Sequence, residues 1–358
     1  MIIIISLFIG LMPLDARALA TSTESQIWWT DINPHNDSDH TRCDVIFAKG
    51  TYWLFFDWNT ADWINPDIYV MSSLDAVTWE DPVPLVSTSA IENDPRAFVY
   101  DGTIYLTYQS GGVIYIMTST DGVEYSDPRM LYQSPLGGFA AYQDFVYKDG
   151  WFYMAYEDGA TQAIMVTKSP DLVTWEDPVV AIDTPGPDYT PDICLARGKI
   201  WLVWNYNTEN GHSHPFIISS EDGITWTEPL LISPPNPTDD VYGPFSLIYD
   251  RGKFIFVTRI TSDTSLPAWQ WPWRMSISTS KDGITWTPFE AVGQDIDVNI
   301  YQEKGGTVFP VQNGIREGRT VFSYSIVFKN LMYNIEDSTT IFTYGQLSQV
   351  FMNLRPTP

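Results

Sequence analysis

Ser-Glu-Asp-Gly-Ile-Thr-Trp-Thr-Glu-Pro, at Ser220–Pro229, is one of five closely related stretches in this chain. The other copies are Ser73–Pro82, Ser119–Pro128, Ser169–Pro178 and Ser280–Pro288. Their aspartates, Asp75, Asp121, Asp171, Asp222 and Asp282, follow one another at intervals of 46, 50, 51 and 60 residues. A motif that recurs about every 50 residues indicates a repeat fold, and in a β-rich chain this period fits one four-stranded blade of a β-propeller.

The spacing inside this turn motif predicts its local structure. An Asp followed by Gly forms a tight turn, because the carboxylate accepts hydrogen bonds from backbone N–H groups ahead of it and Gly tolerates a positive φ. The Trp four residues beyond the Asp then folds back and packs between neighbouring sheets. The first and third copies carry Ala76 and Leu172 at the Gly position, and the second carries Tyr125 at the Trp position.

Composition narrows the class of protein. The chain has 358 residues, long enough for one large all-β domain, and its formal net charge is −25. This charge argues against nucleic acid or an anionic membrane surface as a partner. Residues 1–20 combine an apolar run with Ala18-Leu-Ala20, which predicts a secretory signal peptide, and the run is too short to span a membrane. We therefore expect a secreted protein whose residues 21–358 form a single propeller domain closed by an N-terminal strand.

Two further features allow structural predictions. Cys43 and Cys194 fall on the first strands of two distant units, and a disulfide needs Cα atoms within about 7 Å, so two free, buried thiols are predicted. The loop Asp31–His40 is dense in oxygen ligands. It fits either a structural Ca²⁺ site or a plain solvated loop, since it lacks the EF-hand spacing. No other metal and no cofactor is predicted.

Each unit follows one pattern of strands: a short apolar strand, a Gly turn, a long aromatic strand, a loop, a third strand, the turn motif and a fourth strand. A sixth unit without the motif is predicted from strands at Thr307–Gln312, Thr320–Val327 and Thr339–Leu347, with Gln26–Thr30 as its fourth strand. The prediction is therefore a six-bladed propeller. The alternative is a five-bladed propeller with a C-terminal appendage.

Aligning the units on the Gly that ends each first strand brings two sets of side chains into register. Eight residues before it stand Arg42, Asp94, Tyr142 and Thr190; six before it stand Asp44, Arg96, Asp144, Asp192 and Ser246. Positions two apart on a strand share a face, so both sets should converge on the mouth of the central channel. Paired carboxylates there suit acid and nucleophile or base roles in glycoside hydrolysis. The alternative is that the aspartates cap strand starts by accepting bonds from backbone amides.

Loops that reach the same face carry acids and tryptophans. Sugar rings stack on indoles while their hydroxyls bond carboxylates, so these loops suit carbohydrate. They equally suit a cover over the core. The loop side chains predicted to contact substrate are Trp58, Asp62, Trp63, Glu209, Trp271 and Arg274.

The five motifs resemble the Asp-boxes of the sialidase superfamily, which implies a propeller with its active site on the face opposite the boxes. By that resemblance Arg42 stands where the first sialidase arginine would be, and Asp62 lies in the loop expected to hold the acid/base. The stretch Glu92–Gly102 is similar to the second-blade Asp-Pro strand of furanosidase-type propeller glycosidases. This second resemblance implies that Asp94 stabilises the transition state. Arg42-Cys43 and Thr190 stand at the other two catalytic positions of that family.

The sequence as a whole predicts a secreted propeller that acts on or binds glycans at its channel mouth. As a glycoside hydrolase it would use Asp94 with one or two of Asp44, Asp144 and Asp192, and Asp62 as a further acid; Arg42, Arg96 and Tyr142 would bind substrate. The alternative is a non-catalytic glycan- or protein-binding propeller at a cell surface. Aspartates all tied to backbone amides would favour the binding protein. No oligomeric state is predicted.

Overall fold

Strands make up nearly all of the regular structure in a computed structural model of the chain. It describes residues 39–59, 65–74, 79–207, 212–232, 236, 238–250, 252–261, 274–291, 308–316, 319–326, 335–336, 339–340 and 348–354. The signal peptide predicted at 1–20, the Ca²⁺ loop except for its last residues and the strand predicted at Gln26–Thr30 lie outside these residues.

Five four-stranded antiparallel sheets follow one another along the chain, each ordered from its first strand to its fourth. Blade one is β1 (Asp39–Ala48), β2 (Thr51–Asn59), β3 (Asp67–Ser73) and β4 (Val83–Val86). Blade two is β5 (Glu92–Tyr100), β6 (Thr103–Ser110), β7 (Val113–Ser119) and β8 (Arg129–Gln133). Blade three is β9 (Ala140–Lys148), β10 (Trp151–Asp158), β11 (Ala163–Ser169) and β12 (Val179–Ile182). Blade four is β13 (Asp188–Ala196), β14 (Lys199–Asn207), β15 (Ser213–Ser220) and β16 (Leu230–Leu231). Blade five is β17 (Asp240–Asp250), β18 (Lys253–Thr261), β19 (Arg274–Ser280) and β20 (Glu290–Ala291).

The C-terminal strands form two smaller sheets. β21 (Val308–Arg316), β22 (Arg319–Ile326) and β25 (Ser348–Leu354) make a three-stranded sheet, and β23 (Ile335–Glu336) pairs with β24 (Thr339–Thr340). β21 contacts both β1 and β17. The propeller is confirmed with five four-stranded blades, which is the alternative stated above, and a sixth blade is not confirmed. Of the strand predicted at Thr339–Leu347, the first two residues form β24 and residues 341–347 lie outside the described part; the third described strand of the C-terminal sheet is Ser348–Leu354.

The hydrophobic core lies between neighbouring blades. One cluster joins blades one and two through side chains such as Phe55, Ile68 and Leu106, and similar clusters fill the next three junctions. Cys194 is a free, buried thiol, as predicted, and it belongs to the cluster between blades four and five. The side chain of Cys43 lies outside the described part.

The turn motif has the structure that its spacing predicts. Asp222 Oδ1 accepts hydrogen bonds from the backbone N–H groups of Thr225 and Ile224, both at 2.8 Å, and these bonds lower the pKa of Asp222 to about 2. Ser220 Oγ accepts from Gly223 N at 2.8 Å. The same bonds from Asp to the second and third residues ahead recur in the copies centred on Asp121, Asp171 and Asp282.

In the three copies that have it, the glycine of the motif also packs against the preceding blade. Gly223 has φ 74°, and a Cβ built on it would lie 2.5 Å from the ring of Tyr153 on β10 of the preceding blade. Gly122 meets Trp53 and Gly283 meets Trp201 in the same way, at 2.2 and 2.4 Å. Glycine is therefore required at this position for two reasons: the backbone has a positive φ, and an aromatic ring lies where a Cβ would be.

We expect Gly223→Ala to destabilise the protein more than Gly198→Ala does. Gly198 has a similar φ of 78°, but nothing lies within 4 Å of its Cβ position. Alanine at Gly198 should therefore cost only the backbone strain, about 1 kcal/mol, and Gly223→Ala should cost about 1–3 kcal/mol more through overpacking. Urea unfolding of both variants measures the difference. Equal losses would show that the contact with Tyr153 contributes nothing.

Candidate functional site at the channel mouth

Each of the five inner strands carries an irregularity close to the end at which it begins. The register against the second strand shifts between His40 and Cys43, Asn93 and Arg96, Ala141 and Asp144, Tyr189 and Asp192, and Tyr242 and Ser246. Pairing with the second strand continues on both sides of each bulge, so every inner strand extends beyond the extra residues toward the end at which it begins.

Three residues in these bulges have an unusual backbone conformation. Asp94, Tyr142 and Thr190 have φ of 55°, 53° and 50°, and they occupy equivalent positions in blades two, three and four. A non-glycine residue with positive φ typically costs about 1–3 kcal/mol, and such residues cluster at functional sites. The bulge aims these side chains differently from the regular strand that follows.

Two residues further along, the aligned aspartates join neighbouring blades. Asp44 Oδ2 accepts from Ala97 N at 2.6 Å, Asp144 Oδ2 from Ile193 N at 2.9 Å, and Asp192 Oδ1 from Leu247 N at 3.0 Å. In each case the donor lies on the inner strand of the next blade. We call these three carboxylates the latch aspartates. This is the backbone-capping arrangement that the sequence left as the alternative to catalysis.

The junction between blades two and three is built differently. Arg96 stands at the latch position of blade two, and a guanidinium cannot accept a hydrogen bond from an amide. Gln143 of blade three instead reaches back: its Nε2 donates to Asp94 O at 2.9 Å and to Thr107 Oγ1 at 3.3 Å. Gln143 was not identified from the sequence. The one feature that could have indicated it is a side chain with both a donor and an acceptor next to the latch position of blade three.

The latch aspartates and Arg96 form one electrostatic cluster. Burial raises the pKa of Asp192 well above its usual value, the nearby Asp144 and Asp44 raise it further, and Arg96 opposes them. Asp192 Oδ2 is buried and has no hydrogen-bond partner among the described residues. Asp44 and Asp192 are each only 1% exposed, which leaves them almost no surface for a substrate.

Side chains nearer the mouth keep some contact with solvent. Asp94 is 5% exposed, Glu157 and Thr190 are each 8% exposed, and Tyr142 is half-buried. Glu157, at the end of β10, accepts a hydrogen bond from Thr190 N at 3.4 Å, while Thr190 Oγ1 donates to Asn205 Oδ1 at 2.8 Å. Blades two, three and four thus bring Asp94, Tyr142, Glu157 and Thr190 to the same face. The place of Glu157 near the end of β10 gives it a fixed position.

Other acids at this face hold the loops. Each accepts hydrogen bonds from a connection at the mouth, and each is almost fully buried: Glu92 with Thr88, Asp158 with Ser134 and Thr161, Asp188 with Thr184 and Trp204, and Asp240 with Ser213. They are structural groups, because their oxygens are used within the protein.

Several predicted site residues fall outside the description. Asp62, Trp63, Glu209 and Trp271 lie outside the described residues. Arg42, Trp58 and Arg274 lie in β1, β2 and β19, but their side chains are not among those described. Arg96 is 6% exposed and Asp144 is 8% exposed, so both reach the edge of the mouth.

The two histidines of blade four have structural partners. His212 Nδ1 lies 3.0 Å from Asp240 Oδ2, and His214 Nε2 lies 3.2 Å from Asp239 O. Burial lowers the pKa of His214. In the described part of the chain, no group of three or more His, Cys, Asp or Glu side chains is arranged to hold a metal ion. That part also contains no helix with the length and apolarity that a membrane crossing requires.

Comparison with solved structures finds the same fold in propeller glycoside hydrolases. An α-L-arabinofuranosidase from Podospora anserina, in complex with cellotriose, matches at 14% identity and a TM-score of 0.51, over 73% of this chain and 96% of that one. An exo-1,5-α-L-arabinanase from a bovine ruminal metagenomic library matches at 13% identity and a TM-score of 0.51, over 72% and 99%. A Hadza microbial sialidase matches at 16% identity and a TM-score of 0.57, over 89% and 66%.

No protein-family model matches the sequence, and no curated protein matches it significantly. The structural likeness establishes the all-β propeller fold.

We expect Asp192→Asn to change how stability depends on pH. A carboxyl whose pKa is raised in the folded state binds more protons there than when unfolded, so stability falls as pH rises from about 4 through the raised pKa. Asn does not titrate and keeps an acceptor for Leu247 N. The Tm of the variant relative to the wild type should therefore increase with pH over this window.

Thermal melts from pH 4 upward, in steps of about one unit, measure this difference. Asp127→Asn, at an exposed aspartate, is the matched control and should give a constant offset. An equally constant offset for Asp192→Asn would contradict the expected proton uptake.

Proposed function

We propose that this protein binds a carbohydrate at the channel mouth and hydrolyses a glycosidic bond there. The observation that carries the proposal is the repeated left-handed conformation of Asp94, Tyr142 and Thr190. Three strained non-glycine residues at one position of consecutive blades are costly to retain for packing alone. They lie at the face where the inner strands begin, which resembles the active-site face of propeller glycosidases.

Asp94 and Glu157 are the carboxylates that we assign to the reaction. They belong to adjacent blades, and both retain slight solvent contact. One would protonate the leaving oxygen while the other acts as base or stabilises the transition state, as two carboxylates do in most glycosidases. The resemblance to furanosidase-type propellers assigns transition-state stabilisation to Asp94. Tyr142, half-buried beside them, would bond a sugar hydroxyl.

The other residues predicted from the sequence have supporting roles in the proposal. Asp144, which keeps 8% exposure while acting as a latch, is a third carboxylate within reach of the mouth, and Asp44 and Asp192 are assigned to structure. Arg42, Trp58, Asp62, Trp63, Glu209, Trp271 and Arg274 remain candidate contacts for sugar. Export through residues 1–20 belongs to the same proposal.

A second candidate is a propeller that binds glycans without cleaving them. The latch bonds favour it, because three of the five aspartates predicted to be catalytic accept backbone hydrogen bonds between blades. The two candidates differ in whether Asp94 and Glu157 are needed for turnover or only for binding.

The test is hydrolysis of aryl α-L-arabinofuranosides, β-D-xylosides and sialosides, with arabinan and xylan. Asp94→Asn and Glu157→Gln should each lower kcat/KM by about 10²–10⁴-fold, the usual contribution of a general acid or base. Asn tolerates a positive φ, so Asp94→Asn keeps the bulge. Asp101→Asn is the matched control: Asp101 has φ 46°, is exposed, and follows the far end of the same strand, so its activity should equal that of the wild type.

Three results would each count against part of this proposal. Turnover that survives both mouth substitutions would overturn the assigned roles. Binding on a glycan array without turnover of any substrate would replace the hydrolase by the binding protein, and neither binding nor turnover would overturn both.

A further inference from the structure

The connection between blades two and three, Ser134–Phe139, exposes an aromatic ring beside the mouth. Phe139 is 44% exposed, although it directly precedes β9. Because the fourth strand of one blade and the first strand of the next meet at the mouth face, this connection lies on that face. Phe139 is three residues before Tyr142, so their Cα atoms are at most about 11 Å apart.

Backbone bonds fix Phe139 between two turns. Its carbonyl accepts from Gly159 N at 2.9 Å, and the next residue, Ala140, donates from its N to Gly112 O at 3.1 Å. Gly112 belongs to the β6–β7 turn of blade two, and Gly159 belongs to the β10–β11 turn of blade three. The residue therefore spans the junction of two blades.

Glycines make the space in which the ring lies. A Cβ on Gly159 would stand 2.1 Å from Phe139 Cδ1, and a Cβ on Gly112 would stand 3.2 Å from Phe139 Cβ. Gly112 also has φ 83°, which by itself favours glycine. Gly159 has no positive φ, so its backbone conformation does not require glycine. The approach of the Phe139 ring is what excludes a side chain there.

A buried acid makes this arrangement rigid. Asp158 is fully buried; its Oδ2 accepts from Ser134 Oγ, and its Oδ1 accepts from Ala160 N and Thr161 N, both at 3.0 Å. One carboxylate thus ties the start of the connection to the turn beneath the ring. A rigid aromatic group loses little conformational entropy when a ligand stacks on it.

We propose that Phe139 is the stacking platform for a neutral sugar unit next to the one held at the mouth. This inference rests on the function proposed above. Part of the ring lies against the Gly159 backbone, and its exposed part is available to the apolar face of a sugar. A chain with a net charge of −25 and acids at its mouth disfavours an anionic ligand. Neither sequence resemblance nor the loop tryptophans had indicated this residue.

The test compares a short with a longer substrate of the same sugar, using purified full-length protein. Phe139→Ala should raise KM for an oligosaccharide about tenfold, the usual worth of one stacking contact. It should leave kcat, and KM for the aryl monosaccharide, within about twofold of the wild type. Phe139→Trp keeps an aromatic ring at this position, so its KM for the oligosaccharide should be close to that of the wild type. Leu136→Ala is the matched control, because Leu136 is 47% exposed in the same connection. This variant should leave KM unchanged for both substrates.

The outcomes separate this inference from the function on which it rests. Equal loss on both substrates, or wild-type KM for the oligosaccharide in Phe139→Ala, would overturn the platform while leaving the Asp94 and Glu157 roles intact. If the protein binds without turnover, dissociation constants for the two ligands replace KM with the same expected ratio. A wild type that neither binds nor cleaves any glycan would overturn both proposals.

Discussion

The bond from a carboxylate on one inner strand to a backbone N–H on the next is the interaction on which this structure depends. Each inner strand lies at the edge of its sheet, so the amides on its unpaired side need acceptors that no neighbouring strand supplies. Asp44, Asp144 and Asp192 supply these acceptors from the adjacent blade. A buried amide without a partner costs about 1–3 kcal/mol, so each bond fixes both the spacing of two blades and the position of a bulge.

The same arrangement collects negative charge along the channel, and the protein limits this in two ways. Arg96 replaces one acid at the latch position, and it opposes the repulsion that raises the pKa of Asp192. At this junction blade three instead supplies a donor, the side-chain amide of Gln143, which carries no charge. Asp94, Tyr142 and Thr190 at the mouth lie only two residues before these buried groups on the same strands, and the bulge is what separates the two sets.

Much of the fold follows from the sequence, because the turn motif recurs at a regular spacing and its Asp, Gly and Trp have fixed local partners. The convergence of Asp44, Arg96, Asp144 and Asp192 was predicted by aligning the units on the glycines that end their first strands. The sequence did not show what these carboxylates bind. An aspartate that faces the central channel gives the same sequence pattern whether it accepts a hydrogen bond from a backbone amide or contacts a substrate. Gln143 and Phe139 were missed because their importance depends on neighbours about 20 to 50 positions away. The C-terminal strands were harder to place without a motif to mark them.

Leu172 shows how far the motif can drift without losing its geometry. It stands where three copies have glycine, yet it has φ 59° and is buried in the core between blades two and three. The aromatic residue at the equivalent position of the preceding blade, Tyr105, packs against the same cluster as Leu172, so apolar packing offsets backbone strain. A pattern search that insists on glycine would find three repeats in a propeller with five four-stranded blades. In divergent relatives of this chain, the Ser and Asp of the motif are therefore a safer guide to the number of blades than the residue that directly follows the Asp.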